Sequence, residues 1–234
     1  MGKKDLELDL VKNFIYNDSI SKSIAEINQN FLDFNILEIT GMGTQEIKHS
    51  HILEWILGDN QHNLKYKVFI ELLKEIYHDN DLNDDELQKY IYLTQERNIK
   101  IHREMDNIDL VIEDTLNKKV FVIENKVFAE ERTDGSDGGQ LQKYENIISE
   151  KYPQNKKDKY DVYFIFLTPD SKDASRDNWH TASYKMIADI LNKILKTTQL
   201  QDNTKLVINS YLDLLKRRHI VGNEELEKLC ENIW

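Results

Sequence analysis

The sequence predicts an α/β protein with a mixed central sheet flanked by helices. Three observations carry that expectation. Hydrophobic residues recur at helical spacing through the first third of the chain, the pattern switches to period two from residue 98, and a helical stretch then precedes a nearly continuous apolar run over 160–167. Strands joined by short turns pair antiparallel, whereas a strand reached through a helix joins its sheet in parallel.

Residues 5–34 read as one or two amphipathic helices, with Ile20, Ile24, Ile27 and Phe31 on one face. Gly41 and Gly43 interrupt the chain, and Thr44 is placed to cap a helix that runs to about Leu57 and stops at Gly58-Asp59-Asn60. The next helix carries Phe69, Leu72, Leu73 and Ile76 on one side; a polar loop over 78–85 and a short helix follow. Ile99 and Ile101 alternate with Lys100 and His102, as in a half-exposed strand. A second strand over 107–113 and a turn at 115–118 lead to a third strand over 120–127. The loop 132–139, with three glycines and two aspartates, is expected to be mobile. A helix begins near Gln140 and ends about Tyr152-Pro153, and 160–167 suits a strand buried on both faces. Helices near 183–196 and 204–218 and a short amphipathic tail complete the chain. Neither a repeat nor a linker divides it, so the expectation is a single domain over 1–234. Within it, 1–43 forms an N-terminal helical extension, 44–195 the core and 196–234 the C-terminal helices.

The 234 residues are 40% hydrophobic and 31% charged, with two prolines and eight glycines, which excludes a disordered or fibrous chain. No apolar run approaches the roughly 20 residues that span a bilayer, and the charged first ten residues do not resemble a signal peptide. A cytoplasmic protein with no membrane partner is expected. Cys230, the single cysteine, excludes an intrachain disulfide and a multi-cysteine zinc site. The net charge of −11 argues against a strong non-specific nucleic-acid binder, since phosphate neutralisation supplies much of such affinity. Acids that hold a divalent cation would soften that argument, as would lysines gathered on one face, for which the run 151–159 is the candidate.

Candidate chemistry sits in the second and third strands. Asp109 interrupts Ile108-Asp109-Leu110-Val111-Ile112, and Glu124 and Lys126 follow Val120-Phe121-Val122-Ile123. Alternation points Glu124 and Lys126 the same way, about 7 Å apart, and a short turn allows Asp109 to lie beside them. Two acids and one lysine leave a charge that Mg²⁺ or Mn²⁺ could balance; the bland alternative is a Glu124–Lys126 ion pair at a frayed strand end. Glu46 shares a helix face with Ser50, Leu53 and Leu57, so it points inward. Gln140 opens a helix where free N–H groups can meet a phosphate, with Tyr144 one turn later. His49 and His51 lie about 200° apart around a helix and cannot both face one ion; for His51 a packing or capping role is expected. Trp55 and Trp179 are read as core or interface residues.

Taken together, these residues resemble the PD-(D/E)XK nuclease superfamily over roughly 44–195. Glu46 is similar to the acid of its first core helix, Ile108-Asp109 to its "PD", and Glu124-Asn125-Lys126 to its "(D/E)XK". Gln140-Leu141-Gln142-Lys143-Tyr144 resembles the Gln-x-x-x-Tyr motif of RecB-like members. The stretch 46–55 with 123–126 resembles a bacterial branch linked to phage defence or mobile elements. Ile108 stands where the motif has proline. The resemblance implies a restriction-endonuclease-like core (αβββαβ) that hydrolyses phosphodiester bonds, with DNA as the expected substrate. Asp109, Glu124, the Asn125 carbonyl and Glu46 (directly or through water) would hold Mg²⁺ or Mn²⁺. Lys126 would position the attacking water, and Gln140 would orient the phosphate or Lys126. Tyr144 would pack behind Gln140 or meet the nucleic-acid backbone, Lys143 and Ser50 would lie toward nucleic acid, and a homodimer or a partner protein could supply recognition. The competing expectation is a silent or partner-dependent module that keeps the fold for binding or regulation.

Overall fold

The computed structural model describes residues 17–32, 34–58, 61–133, 139–152 and 159–231. The expected helix before residue 17, the centre of the 132–139 loop and most of the 151–159 lysine run lie outside the described residues.

Ahead of the sheet come α1 (Asp18–Leu32), α2 (Ile36–Ile39), a 3₁₀ turn (Met42–Thr44), α3 (Glu46–Leu57), α4 (Lys67–Asp79) and α5 (Asp85–Leu93). Then follow β1 (Ile99–Met105), β2 (Ile108–Asp114), β3 (Lys119–Asn125), α6 (Gln140–Lys151) and β4 (Asp161–Thr168). The chain continues with β5 (Trp179–Ser183), α7 (Tyr184–Thr197), α8 (Asp202–Arg217) and α9 (Glu224–Glu231). Thr44 closes the 3₁₀ turn, and Gln45, with no side-chain cap bond, precedes α3. The expected Thr44 cap is therefore corrected. The 3₁₀ turn ends the chain's bend at Thr44 and starts the helix two residues later.

The five strands lie in the order β1-β2-β3-β4-β5, antiparallel through β3 and parallel beyond it. The β1–β2 hairpin closes through Asp106 and Asn107, at φ 55° and 67°, in the left-handed region these residue types tolerate. At the next turn the buried Asp114 carboxylate accepts from the N–H groups of Asn98, Leu116 and Asn117, from Asn117 Nδ2 and from the Tyr90 hydroxyl. β3 is buried at every position, as its run of β-branched and aromatic residues demands of a central strand.

Each sheet face has its own core. Leu110, Ile112, Phe121, Ile123, Ile165 and Leu167 pack against α3, α4, α7 and α8, whereas Val111, Val120, Val122 and Phe166 pack against Leu141, Tyr144 and Ile148 of α6. β5 is not legible in the sequence, although its Trp179, expected in the core or at an interface, is buried. Five residues are too few to show a period, and the strand's outer edge is completed by a side chain instead. Asn80 accepts from Thr181 N–H and donates to Thr181 C=O, in the manner of a neighbouring strand.

Candidate active site

The parallel β3–β4 junction is where the chemistry-bearing side chains gather. Leu110 pairs with Ile123, and the same register carried one residue further sets Asp109 opposite Glu124. Opposed residues of an antiparallel pair project to one face with Cβ atoms about 5 Å apart. That face is the one covered by α6. Asp109 Oδ2 accepts from the Asn125 N–H at 2.7 Å. Glu124 Oε1 accepts from Lys126 Nζ at 2.8 Å and from Gln140 Nε2 at 2.8 Å. Gln140 Nε2 also donates to the Tyr144 hydroxyl at 2.7 Å, and that hydroxyl donates to the Asn107 carbonyl at 2.6 Å. Gly139, at φ 91°, turns the chain into α6 so that Gln140 stands over the strand end.

Charge at this cluster is poorly compensated. Glu124 is only 1% exposed, and its Oε2 and the Gln140 Oε1 are buried acceptors with no hydrogen-bond partner among the described residues. Burial, and then the Asp109 charge, push the Glu124 carboxyl up to about 8; burial pushes Asp109 up to about 6 against the pull of the Asn125 N–H and Lys126. For Lys126, burial favours the neutral amine, but Glu124, Glu46 and Asp109 outweigh it and hold the ammonium above its ordinary value. Asp114 makes the contrast plain. It too is buried, but five donors surround it, whereas Glu124 keeps one oxygen with no donor among the described residues.

Glu46 occupies the entrance to α3. Its Oε1 accepts from the N–H groups of Val127, Phe128 and Ala129 at 2.9, 3.0 and 2.9 Å. Burial opposes its ionisation, but those N–H groups and Lys126 together keep the carboxyl below its usual range. Glu46 therefore holds the loop that leaves β3, which leaves Oε2 for any approach to an ion or its water.

Asn125 points to the other face. Its Nδ2 donates to Ser50 Oγ at 3.1 Å, and its Oδ1 accepts from the Tyr184 hydroxyl at 2.6 Å. Tyr184 and Tyr211 share a hydrogen bond, and Tyr211 Oη lies 3.2 Å from His49 Nδ1. Burial holds His49 down at about 4, so it is neutral and packs within this network. The network anchors the strand end from behind. Tyr184→Phe leaves Asn125 Oδ1 without its donor and should cost roughly 1–3 kcal/mol, read as a lower urea midpoint with an unchanged slope.

One expectation needs correction. Ser50 is fully buried on the face opposite Glu124 and bonds Asn125, so it cannot meet nucleic acid. Tyr144 is 3% exposed, with its hydroxyl engaged by Asn107 and Gln140, which fits the first of its two expected roles, packing behind Gln140. Gln140 Nε2 donates to Glu124 Oε1, on the strand end that also carries Lys126. Lys143 is exposed and makes no ion pair among the described residues. Glu104 was missed: it sits in the left-handed region at φ 53° and adds negative charge beside Asp109. Its signal in sequence was slight, an acid just ahead of a hairpin turn.

A sequence profile described as PD-(D/E)XK nuclease superfamily matches residues 34–231. The chain belongs to the PD-(D/E)XK nuclease superfamily. The match extends past the core that the motifs marked, through α7, α8 and α9, and the mixed sheet with flanking helices is the restriction-endonuclease-like arrangement. No curated protein and no solved structure matches the chain. Members of this superfamily are nucleases that typically use divalent metals such as Mg²⁺. No helix among the described residues is long and apolar enough to cross a membrane.

The donor set fits such an ion, in an open form. Among the described residues no group of three or more His, Cys, Asp or Glu side chains is placed to hold a metal ion. Asp109 and Glu124 supply two carboxylates, and Mg²⁺ ordinarily retains waters and substrate oxygens beside one or two such ligands.

Proposed function

We propose that this PD-(D/E)XK protein is a Mg²⁺- or Mn²⁺-dependent nuclease that hydrolyses phosphodiester bonds, with DNA as its substrate and defence against foreign nucleic acid as its setting. The observation that carries the reading is the bare, buried Glu124 Oε2 beside Asp109, on a strand end that also bears a protonated Lys126. Asp109, Glu124 and the Asn125 main-chain carbonyl would hold the ion, with Glu46 reaching it through water. The ion, when bound, would act as Lewis acid on the phosphate and lower the pKa of a water.

The chain's own residues do the positioning. Gln140 holds one Glu124 oxygen so that the other is presented, and Tyr144 fixes Gln140 from behind. The Asn125 N–H fixes Asp109. Lys126 carries a positive charge at neutral pH; it would hold the attacking water by its lone pair and stabilise charge that develops on the phosphate oxygens. Exposed Lys143 on α6 is a candidate phosphate contact.

The test is cleavage of single- and double-stranded DNA and RNA with Mg²⁺, Mn²⁺ or EDTA. Cleavage with either metal and none in EDTA is expected. The net charge of −11 favours a second reading, in which a partner protein or second copy supplies recognition. Mn²⁺ binding without cleavage by the isolated chain would favour that reading. Absence of Mn²⁺ binding would overturn the metal site altogether.

A further inference from the structure

We propose that Phe128 is a stacking platform for an unpaired base, so that the substrate presents a single-stranded or locally opened nucleotide beside the catalytic cluster. This rests on the nuclease reading and names its substrate class.

Phe128 is 51% exposed and stands two residues past Lys126. Single exposed apolar residues are common on protein surfaces, and what sets this one apart is how firmly it is held. Its own N–H and those on either side all donate to one Glu46 oxygen. The ring also meets His49 edge-on, with centroids 6.0 Å apart and planes at 70°, and His49 is itself buried beside Tyr211. One side of the ring is therefore anchored while the rest stays open, so ordering it on binding costs little.

Phe128 and Lys126 line the same cleft, of about 1240 Å³. Its other lysines, Lys172, Lys185 and Lys193, are each engaged by a carboxylate, from Glu130, Asp189 and Glu71. Phosphate neutralisation is thus a weak source of affinity in this cleft, whereas stacking on an aromatic ring is independent of charge. A base inside a duplex has both faces covered by its neighbours. Away from the ends of a duplex, only an unpaired or splayed base can offer one to Phe128.

The test is fluorescence anisotropy in EDTA with the full chain and labelled 12-nucleotide probes: single-stranded DNA, single-stranded RNA and a blunt DNA duplex. Wild type should bind at least one single strand more tightly than the duplex. F128A should weaken single-strand binding by about 5- to 150-fold, while F128W retains it and F128L, apolar without a π face, does not. Duplex binding should be unchanged in all three, and circular dichroism should show all three folded. The DNA and RNA arms identify which strand is bound. Equal losses on duplex and single strand, no loss in F128A, or no binding by wild type would overturn the proposal. Phe128-dependent binding without metal-dependent cleavage would sustain the platform and overturn the catalytic reading instead.

Discussion

Lys126→Ala is expected to lower Mg²⁺-dependent cleavage by roughly 10²- to 10³-fold, the usual cost of removing one preorganised charge from a transition state. Glu124→Ala should lower it at least as far. Both changes remove a partner from a cluster in which each group holds the next: Lys126 bonds Glu124, and Glu124 is also bonded by Gln140. The fold should survive, because the strand end is fastened from its other face by Asn125, Ser50 and Tyr184. Cleavage rates with purified variants, alongside circular dichroism, check this. If both variants cleaved at the wild-type rate, the activity would belong to a contaminant or to other residues.

Glu124→Gln is expected to stabilise the metal-free protein at pH 8 while abolishing its response to Mg²⁺. The folded state holds the Glu124 proton up to about 8 against an ordinary 4.5, and the Asp109 proton up to about 6 against 3.8. A raised folded pKa contributes stability that is complete below the unfolded value and is lost as pH rises toward the folded one. His49, depressed to about 4, works oppositely, but only below its ordinary 6.5. Between pH 6.5 and 8 Glu124 should therefore dominate among these groups. A group protonated in the folded chain and ionised in the unfolded one loses about 1.4 kcal/mol per pH unit, and each kcal/mol moves Tm by roughly 2–4 °C at this size. The metal-free Tm should fall by several degrees across that window, and Mg²⁺ should raise it most at pH 8, where both acids ionise readily. In Glu124→Gln the pH slope should flatten and the Mg²⁺ shift vanish. Thermal melts at pH 6.5, 7.25 and 8, with and without Mg²⁺, measure both. A wild-type Tm that is flat over this range and indifferent to Mg²⁺ would show that Glu124 is not the strained, ion-seeking acid described here.

Much of the arrangement could be read from local pattern. An acid inside Ile108–Ile112 and an acid and a lysine at the end of an apolar run had to lie on sheet faces set by alternation, and a short turn had to bring the strands side by side. The helix after the glycine-rich loop could likewise be seen to carry Gln140 and Tyr144 on one side. What could not be read was which atoms those side chains would meet. Glu46 was seen to point inward, but nothing near it in sequence shows that it captures three N–H groups more than 80 residues away. Ser50 is expected toward the substrate, yet it is buried by elements distant in the chain.

The sequence by itself determined the class of fold, the strand that bears the site and the faces on which Asp109, Glu124 and Lys126 lie, because backbone periodicity is a local property. Tertiary structure alone decided the rest: Asn125 turned back to Tyr184, Gln140 placed on Glu124, Phe128 left open beside the loop that Glu46 holds. Partner choice and burial depend on how whole elements pack, and no spacing along one segment encodes the surface of another.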